Sequence, residues 1–264
     1  MPTSTLPAGL FGRFRGLILE RYGIACPVGK EFLLEAKLTK LASRIPGRNL
    51  GGLYDSLLEG DQESAKLLLE AITVHHTFFF REAAHLDMMA RDALARGLRN
   101  PTVWCAASST GEEPYSIAMT LAEAGLRDFV ILASDIEASV LAVMHRGEYQ
   151  PGKLESVPPE LRRRYFTKLP GGTYRARRWL RERMLIRRLN LHDEPRFAEP
   201  FDYVLCRNAL IYFDEAGRAK VVASLAGNLK RGGLLFLGHT EALVRIPDGL
   251  AKEGQSVFRK VGPA

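Results

Sequence analysis

The chain changes texture near residue 100. Over residues 10–95, apolar side chains such as Leu17, Ile18, Leu38, Leu41, Leu53, Tyr54, Leu57, Leu68 and Ile72 recur mostly at three- and four-residue spacings. That period lines one face of a helix, and it predicts a small bundle of short helices. Breaks are expected at Gly23, Pro27, Pro46-Gly47 and Gly51-Gly52. After Pro101, short apolar runs alternate with helical stretches. Val103–Ala107, Phe129–Ala133, Met184–Leu191, Phe201–Cys206 and Leu234–Leu237 read as strands, with Val257–Val261 as a last edge strand. Helices are expected over Pro114 to about Ala124, Ala138–Arg146 and about Glu215–Leu229. Strands alternating with helices predict an α/β fold, a mainly parallel sheet covered on both faces. Gly152–Trp179 interrupts the rhythm and has the length of a small inserted subdomain with short strands.

Composition narrows the picture modestly. Hydrophobic residues make up 46% of the 264 and charged residues 25%, which is ordinary for a globular protein. Apolar runs such as Leu234–Leu237 are far too short to span a bilayer, and the N-terminus lacks the unbroken apolar core of a signal peptide. Neither membrane insertion nor secretion is expected. Cys26, Cys105 and Cys206 are odd in number and widely spaced, which fits a reducing compartment. The histidines show no metal-binding spacing, so no metal is expected. The net charge is +7, yet eleven basic residues stand against one acid between Leu161 and Arg188. A patch this basic suggests an acidic protein, RNA or a membrane surface as partner. A solvated surface is the alternative reading of the same run.

The chemistry lies at the strand ends. In a doubly wound sheet, ligands bind beyond the carboxyl ends of the strands. The first strand runs into Ser108-Ser109-Thr110-Gly111-Glu112-Glu113-Pro114, which has no G-x-G-x-x-G fingerprint. Two glutamates there would repel a pyrophosphate but suit an ammonium or a positive ligand. The amino-acid end of S-adenosylmethionine has an ammonium, and its sulfonium is positive. Asp135 ends the second strand, where an acid binds ribose hydroxyls. Asn190-Leu191 offers an amide and an apolar surface for adenine, and Arg207-Asn208 stands near the expected reaction centre. Each residue also has a bland reading as a helix cap, turn or packing residue.

Four stretches resemble the motifs of the CheR family, the chemotaxis receptor methyltransferases. They are Thr77-Phe78-Phe79-Phe80-Arg81-Glu82, Ser109 to Ser116, Cys206 to Phe213, and Gly238-His239-Thr240-Glu241. The resemblance runs in order from about Phe11 to Val261. It implies a Rossmann-like S-adenosylmethionine-dependent methyltransferase domain over residues 96–264, with a small β subdomain inserted at about 152–180. An N-terminal helical domain and linker would occupy residues 1–95. It further implies transfer of a methyl group to glutamates on the cytoplasmic helices of chemoreceptors, giving γ-glutamyl methyl esters and S-adenosyl-L-homocysteine. Cofactor-binding positions would be Thr77, Arg81, Glu112, Asp135, Asn190, Leu191, Arg207 and Asn208, with Arg81 and Tyr212 facing the methyl. The family usually has Asn near the cofactor where this chain has His75, which is therefore also a candidate cofactor-binding residue, and its arginine-rich recognition helix is thinned here to Lys37, Lys40 and Arg44.

An acceptor carboxylate with an ordinary pKa near ~4.3 is already ionised at neutral pH and needs no general base. A cytoplasmic monomer follows from this reading, with no nucleic-acid partner. Two alternatives remain: a methyltransferase of the same fold acting on RNA or on a non-receptor protein, and a non-catalytic S-adenosylmethionine-binding sensor.

Overall fold

A computed structural model describes residues 8–26, 29, 31–45, 50–241, 243 and 246–262. The chain forms two compact units, one of residues 1–74 with 212–218, the other of residues 75–211 with 219–264. Among the described residues, no helix is long and apolar enough to cross a membrane.

The first unit holds α1 (Ala8–Tyr22), α2 (Glu31–Ala42), α3 (Leu50–Leu58) and α4 (Gln62–Ile72). Phe14, Leu17, Ile18, Leu38, Leu41, Leu53, Leu57 and Leu68 are buried, as their spacing predicts. Phe14 meets Tyr54 edge to face, with ring centroids 5.3 Å apart. Asp61 caps α4 by accepting the Ser64 N–H at 2.9 Å. Gly51 and Gly52 lie inside α3 rather than at a break. Burial of Leu50, Leu53, Tyr54 and Leu57 on one face outweighs the ~1 kcal/mol that each helical glycine costs. Phe32 and Leu33 in α2, by contrast, are exposed. The breaks expected at Pro27 and Pro46-Gly47 lie outside the described residues.

The second unit is built on a seven-stranded sheet. Its strands are β1 (Thr102–Ala106), β2 (Val130–Asp135), β6 (Met184–Arg188), β7 (Phe201–Cys206), β8 (Leu229–Leu237), β9 (Leu250–Gly254) and β10 (Val257–Lys260). The order is β6-β2-β1-β7-β8-β10-β9. The first five strands are parallel, whereas β10 pairs antiparallel with β8 and β9 antiparallel with β10. Helices α5 (Ala83–Ala95), α6 (Glu112–Glu123), α7 (Ala138–Arg146) and α10 (Glu215–Gly227) accompany it. The four central strands are buried nearly throughout, hence their unbroken apolar runs.

Helix α6 begins at Glu112, two residues earlier than the sequence suggests. Pro114 is tolerated in its first turn, where backbone N–H groups have no intrahelical acceptor. Strand β8 begins at Leu229, where the preceding helix was expected to end, and β9 was not expected at all. At the amino ends of the central strands, Asp202 accepts the Thr102 N–H, the Thr102 hydroxyl and the Lys230 ammonium, each at 2.9 Å. That carboxylate staples β7 to β1 at their amino ends.

Between α7 and β6 the chain builds a small β element, whose first strand lies before residue 152. Strands β3 (Glu148–Tyr149), β4 (Phe166–Lys168) and β5 (Tyr174–Ala176) form a separate antiparallel sheet in the order β3-β5-β4, with the short helices α8 (Pro159–Tyr165) and α9 (Arg178–Arg181) beside it.

Candidate functional site

The register aligns the carboxyl ends of the central strands. Ala106 pairs with Ser134 on one side and Cys206 on the other, and Cys206 pairs with Leu237. Because β2 and β7 flank β1, the strand order reverses there, the switch point at which an open α/β sheet has its ligand-binding crevice beyond the carboxyl ends. The backbone around it is strained. Phe80, Glu82, Ala107, Ser109 and Asn208 have φ of 57°, 51°, 55°, 49° and 61°, five of the seven described non-glycine residues with positive φ. Such conformations cost roughly 1–3 kcal/mol each and persist only where neighbours hold them. Here the neighbours are identifiable. The Ser108 N–H donates to the Ser134 carbonyl at 2.8 Å, the Ser109 N–H to Asp135 at 2.8 Å, and the Asn208 N–H to Glu241 at 2.7 Å. Gly111, at φ 98°, has no room for a side chain: a Cβ would stand 2.5 Å from Met144 Cγ.

Acidic groups floor the crevice. Asp135 is buried, and its two oxygens accept the N–H groups of Ser109 at 2.8 Å and Glu137 at 3.1 Å. Burial pushes its carboxyl above the ordinary range, against the pull of those two donors. Glu137, also buried, accepts from Ser139 and lies 2.6 Å from His75 Nε2. His75 is therefore tied to the end of β2 by Nε2. Glu112 is fully buried, and one of its oxygens accepts from the Thr110 hydroxyl at 2.6 Å. The Lys153 ammonium stands 3.0 Å from its other oxygen, off the hydrogen-bond axis. That oxygen and the hydroxyls of Ser108 and Ser109 are buried without hydrogen-bond partners. Polar atoms so placed await a ligand's polar groups. A cluster of buried carboxylates suits an ammonium and hydroxyl-bearing ligand and would repel a pyrophosphate, so these residues fit S-adenosylmethionine.

The Thr77 to Glu82 segment docks on α6. The Phe80 N–H donates to the Ser116 hydroxyl at 2.9 Å, and Phe79 is fully buried against Tyr149 and Phe166. The Thr77 carbonyl accepts from Lys153 at 3.3 Å. Arg81 is half-buried, with its guanidinium 3.1 Å from the His76 carbonyl and over the Phe78 ring. Arg207 is buried and its donors face inward, to Glu113 at 2.7 Å and the Arg81 carbonyl at 2.8 Å. Burial opposes its charge, but Glu113 and Glu82 outweigh that and raise its pKa. Arg207 thus locks the Arg81 backbone to the end of β7.

Glu241 does the same for Asn208. Its carboxylate accepts the N–H groups of Asn208, Leu210 and Gly238 at 2.7 to 2.8 Å. Asn190 follows β6 and uses its side chain locally, accepting the His192 N–H at 3.1 Å and donating to Asp193, while the adjacent Leu191 is buried. Tyr212 falls in the segment grouped with the helical unit, where its carbonyl accepts the Ala25 N–H at 2.7 Å.

Of the sequence-expected positions, the second unit brings His75, Glu112, Asp135, Arg207 and Asn208 to the carboxyl ends of β1, β2 and β7. Glu82, Glu113, Glu137 and Glu241, which hold these groups, were not among them. Glu82, Glu113 and Glu241 lie within the motif stretches but were given no role there, and no local signal marks Glu137.

The basic run is less exposed as charge than its composition suggests. Arg164 pairs with Glu123, Arg175 with Glu148, Arg178 with Glu182 and Arg183 with Asp128. Arg162 donates to the Leu154 and Val157 carbonyls. Arg163, Lys168 and Arg187 have no carboxylate partner among the described residues. A cleft of about 500 Å³ lies on this face, lined by Tyr115, His145, Arg178, Arg181 and Arg187 among others.

Comparison with known proteins adds the following. Residues 75–258 match the family model for the CheR methyltransferase, SAM binding domain. A chemotaxis protein methyltransferase of Klebsiella aerogenes is 38% identical over 257 residues, covering 94% of this chain and 88% of that protein. The Escherichia coli K12 protein of the same description is 35% identical over 261 residues, covering 94% and 89%. Chemotaxis protein methyltransferase 2 of Pseudomonas aeruginosa is 34% identical over 283 residues, covering 98% and 99%.

Proposed function

The chain belongs to the CheR family of S-adenosylmethionine-binding methyltransferases, and from that premise we propose that it methylates glutamate side chains of chemoreceptors to γ-glutamyl methyl esters. The observation that carries the reading is the crevice at the β1 switch point, where buried Asp135 and Glu112 lie beside hydroxyls without partners. When bound, S-adenosylmethionine supplies an electrophilic methyl on a sulfonium. The chain's own residues hold and orient. Asp135 has two lone-pair directions left after the Ser109 and Glu137 N–H groups, enough for two ribose hydroxyls. Glu112 takes the ammonium. Asn190 and Leu191 line the adenine end, while Thr77, His75 and Asn208 complete the wall.

Arg81 orients a carboxylate, of the acceptor or of the cofactor, by a charge-assisted pair. Arg207 acts through it as a positioning residue, because its guanidinium grips the Arg81 carbonyl. Tyr212 donates a hydrogen bond near the methyl or packs beside it. The acceptor glutamate attacks as the anion already present at neutral pH, its ordinary pKa being near ~4.3. Anion and sulfonium neutralise one another on the way to products, so alignment and exclusion of water accelerate the reaction most. On this reading the enzyme works on the cytoplasmic side of the membrane, as a monomer on the receptors' helices. The test is to incubate the full chain with S-adenosylmethionine and a chemoreceptor cytoplasmic fragment, then map the products by peptide mass spectrometry. Methylene-sized mass gains on glutamates are expected. Modification confined to lysine, arginine or RNA would refute the assignment.

A further inference from the structure

The turn after Arg81, the start of α5 and the loop after β8 meet at three side chains to which the proposed methyl transfer gives no direct contact with cofactor or acceptor. Glu82, His85 and His239 each offer one ligand atom, and the three atoms lie within 4.8 Å of one another. Glu82 Oε2 is 3.5 Å from His85 Nδ1 and 3.8 Å from His239 Nε2.

The hydrogen bonding is incomplete in an informative way. His85 Nε2 lies 3.0 Å from the Gln255 carbonyl, a partner that only an Nε2–H can satisfy. In the neutral ring this places the proton on Nε2 and the lone pair on Nδ1, toward Glu82. The His85 side chain is only 5% exposed, and both its Nδ1 and Glu82 Oε2 are buried without a hydrogen-bond partner. Two acceptors thus face each other with no hydrogen between them. A metal-ligating histidine characteristically donates its other ring N–H to a carbonyl or carboxylate, which is the arrangement here.

We propose that Glu82, His85 and His239 bind a borderline transition-metal ion of the zinc class. Two imidazoles and one carboxylate are the ligand types such an ion selects. Metal–ligand bonds of about 2.0–2.1 Å give a tetrahedral edge of roughly 3.3 Å. The Glu82–His85 separation is close to that already. The remaining closure falls to His239, whose side chain is 38% exposed and stands edge-on to His85 with ring centroids 4.7 Å apart. Arg207 lies 3.5 Å from Glu82 but is engaged by Glu113 at 2.7 Å, so two carboxylates face one guanidinium and a negative charge remains. The ion would clamp the Gly238–Glu241 loop to the Glu82 turn. Those two segments hold Asn208 and Arg207 in place, so the clamp would stabilise the crevice.

The test uses the full chain after chelator treatment. Zinc binding is measured by calorimetry, and cobalt substitution by the visible bands of a tetrahedral site. One equivalent is expected to bind, with affinity at least about tenfold weaker in His239→Ala and in Glu82→Gln. The exposed His145→Ala and the half-buried Cys26→Ser serve as controls that keep wild-type affinity. His239 is exposed, so its loss should leave the fold intact even if a His85 variant does not fold. No uptake up to millimolar zinc, or an affinity unchanged in both His239→Ala and Glu82→Gln, would overturn the proposal.

Discussion

Asp135→Asn separates binding from folding at one position. The carboxylate receives two backbone N–H groups, from Ser109 and Glu137, and retains a free lone pair on each oxygen. Asparagine keeps the shape but offers one acceptor oxygen and turns an NH2 toward the other donor. Leaving one buried N–H without a partner costs about 1–3 kcal/mol. Against this, burial raises the Asp135 pKa above the ordinary ~3.9 in the folded state. A raised carboxyl pKa makes its ionised form a cost to folding at neutral pH, relieved as pH falls through the raised value. Asparagine never carries that cost. The two effects oppose, so stability at neutral pH should shift by less than about 2 kcal/mol. Wild type should gain on the variant as pH is lowered. Cofactor affinity has no such compensation. Hydrogen bonds to a charged acceptor are worth about 1.5–3 kcal/mol, so Kd should weaken roughly tenfold to a hundredfold. Calorimetric titration with S-adenosylhomocysteine, beside denaturant unfolding, measures both. A folded variant with Kd within twofold of wild type would remove Asp135 from the site.

Arg81→Ala should lower turnover on a receptor fragment by roughly tenfold to a hundredfold. It loses only one hydrogen bond, to the His76 carbonyl, so the unfolding midpoint should barely move, and steady-state kinetics beside thermal unfolding decide the point. Asp202→Asn should destabilise the sheet by about 2 kcal/mol at neutral pH while leaving cofactor affinity unchanged. Donors from Thr102 and Lys230 together outweigh burial and lower the Asp202 pKa. Its stabilisation is therefore complete above the unfolded value of ~3.9 and is lost as pH falls through the lowered folded value. Denaturant unfolding of both proteins at pH 7 and pH 3 should show their difference shrinking. Charge reversal of Arg163, Lys168 and Arg187 should weaken receptor-fragment binding and flatten its salt dependence without touching cofactor affinity. Exposed charges are screened over about 8–10 Å at physiological salt, and titrations at low and high salt test the assignment.

The strand ends were legible because each parallel strand carries a short apolar run and then a polar residue. Asp135 stands out that way, as does the Ser108–Gly111 loop after β1. Strand β9 was not, since Leu250–Gly254 is a solvent-edge strand with Lys252 and Glu253 in it. Its hairpin with β10 is instead marked by the Arg259–Glu253 pair across the two strands, visible only once they are paired. Gly51-Gly52 misled because burial of the α3 face overrides local propensity. The basic run was legible as composition but not in its net charge. Its neutralising acids Glu123, Glu148 and Asp128 come from outside the run and meet it only in the fold. His75 was visible as a departure from the family pattern. Its partner Glu137 lies 62 residues away and was not.

The central claim is that this crevice carries out methyl transfer to a carboxylate, and the linkage formed tests it most directly. The full chain, a chemoreceptor cytoplasmic fragment and cofactor labelled at the methyl group are incubated, and the protein is then treated with base. An ester releases its label as volatile methanol, whereas a methyl on nitrogen stays bound. The account predicts that the incorporated label is volatile after base and is lost with Arg81→Ala. Label that survives base, or no label despite tight cofactor binding, would contradict it.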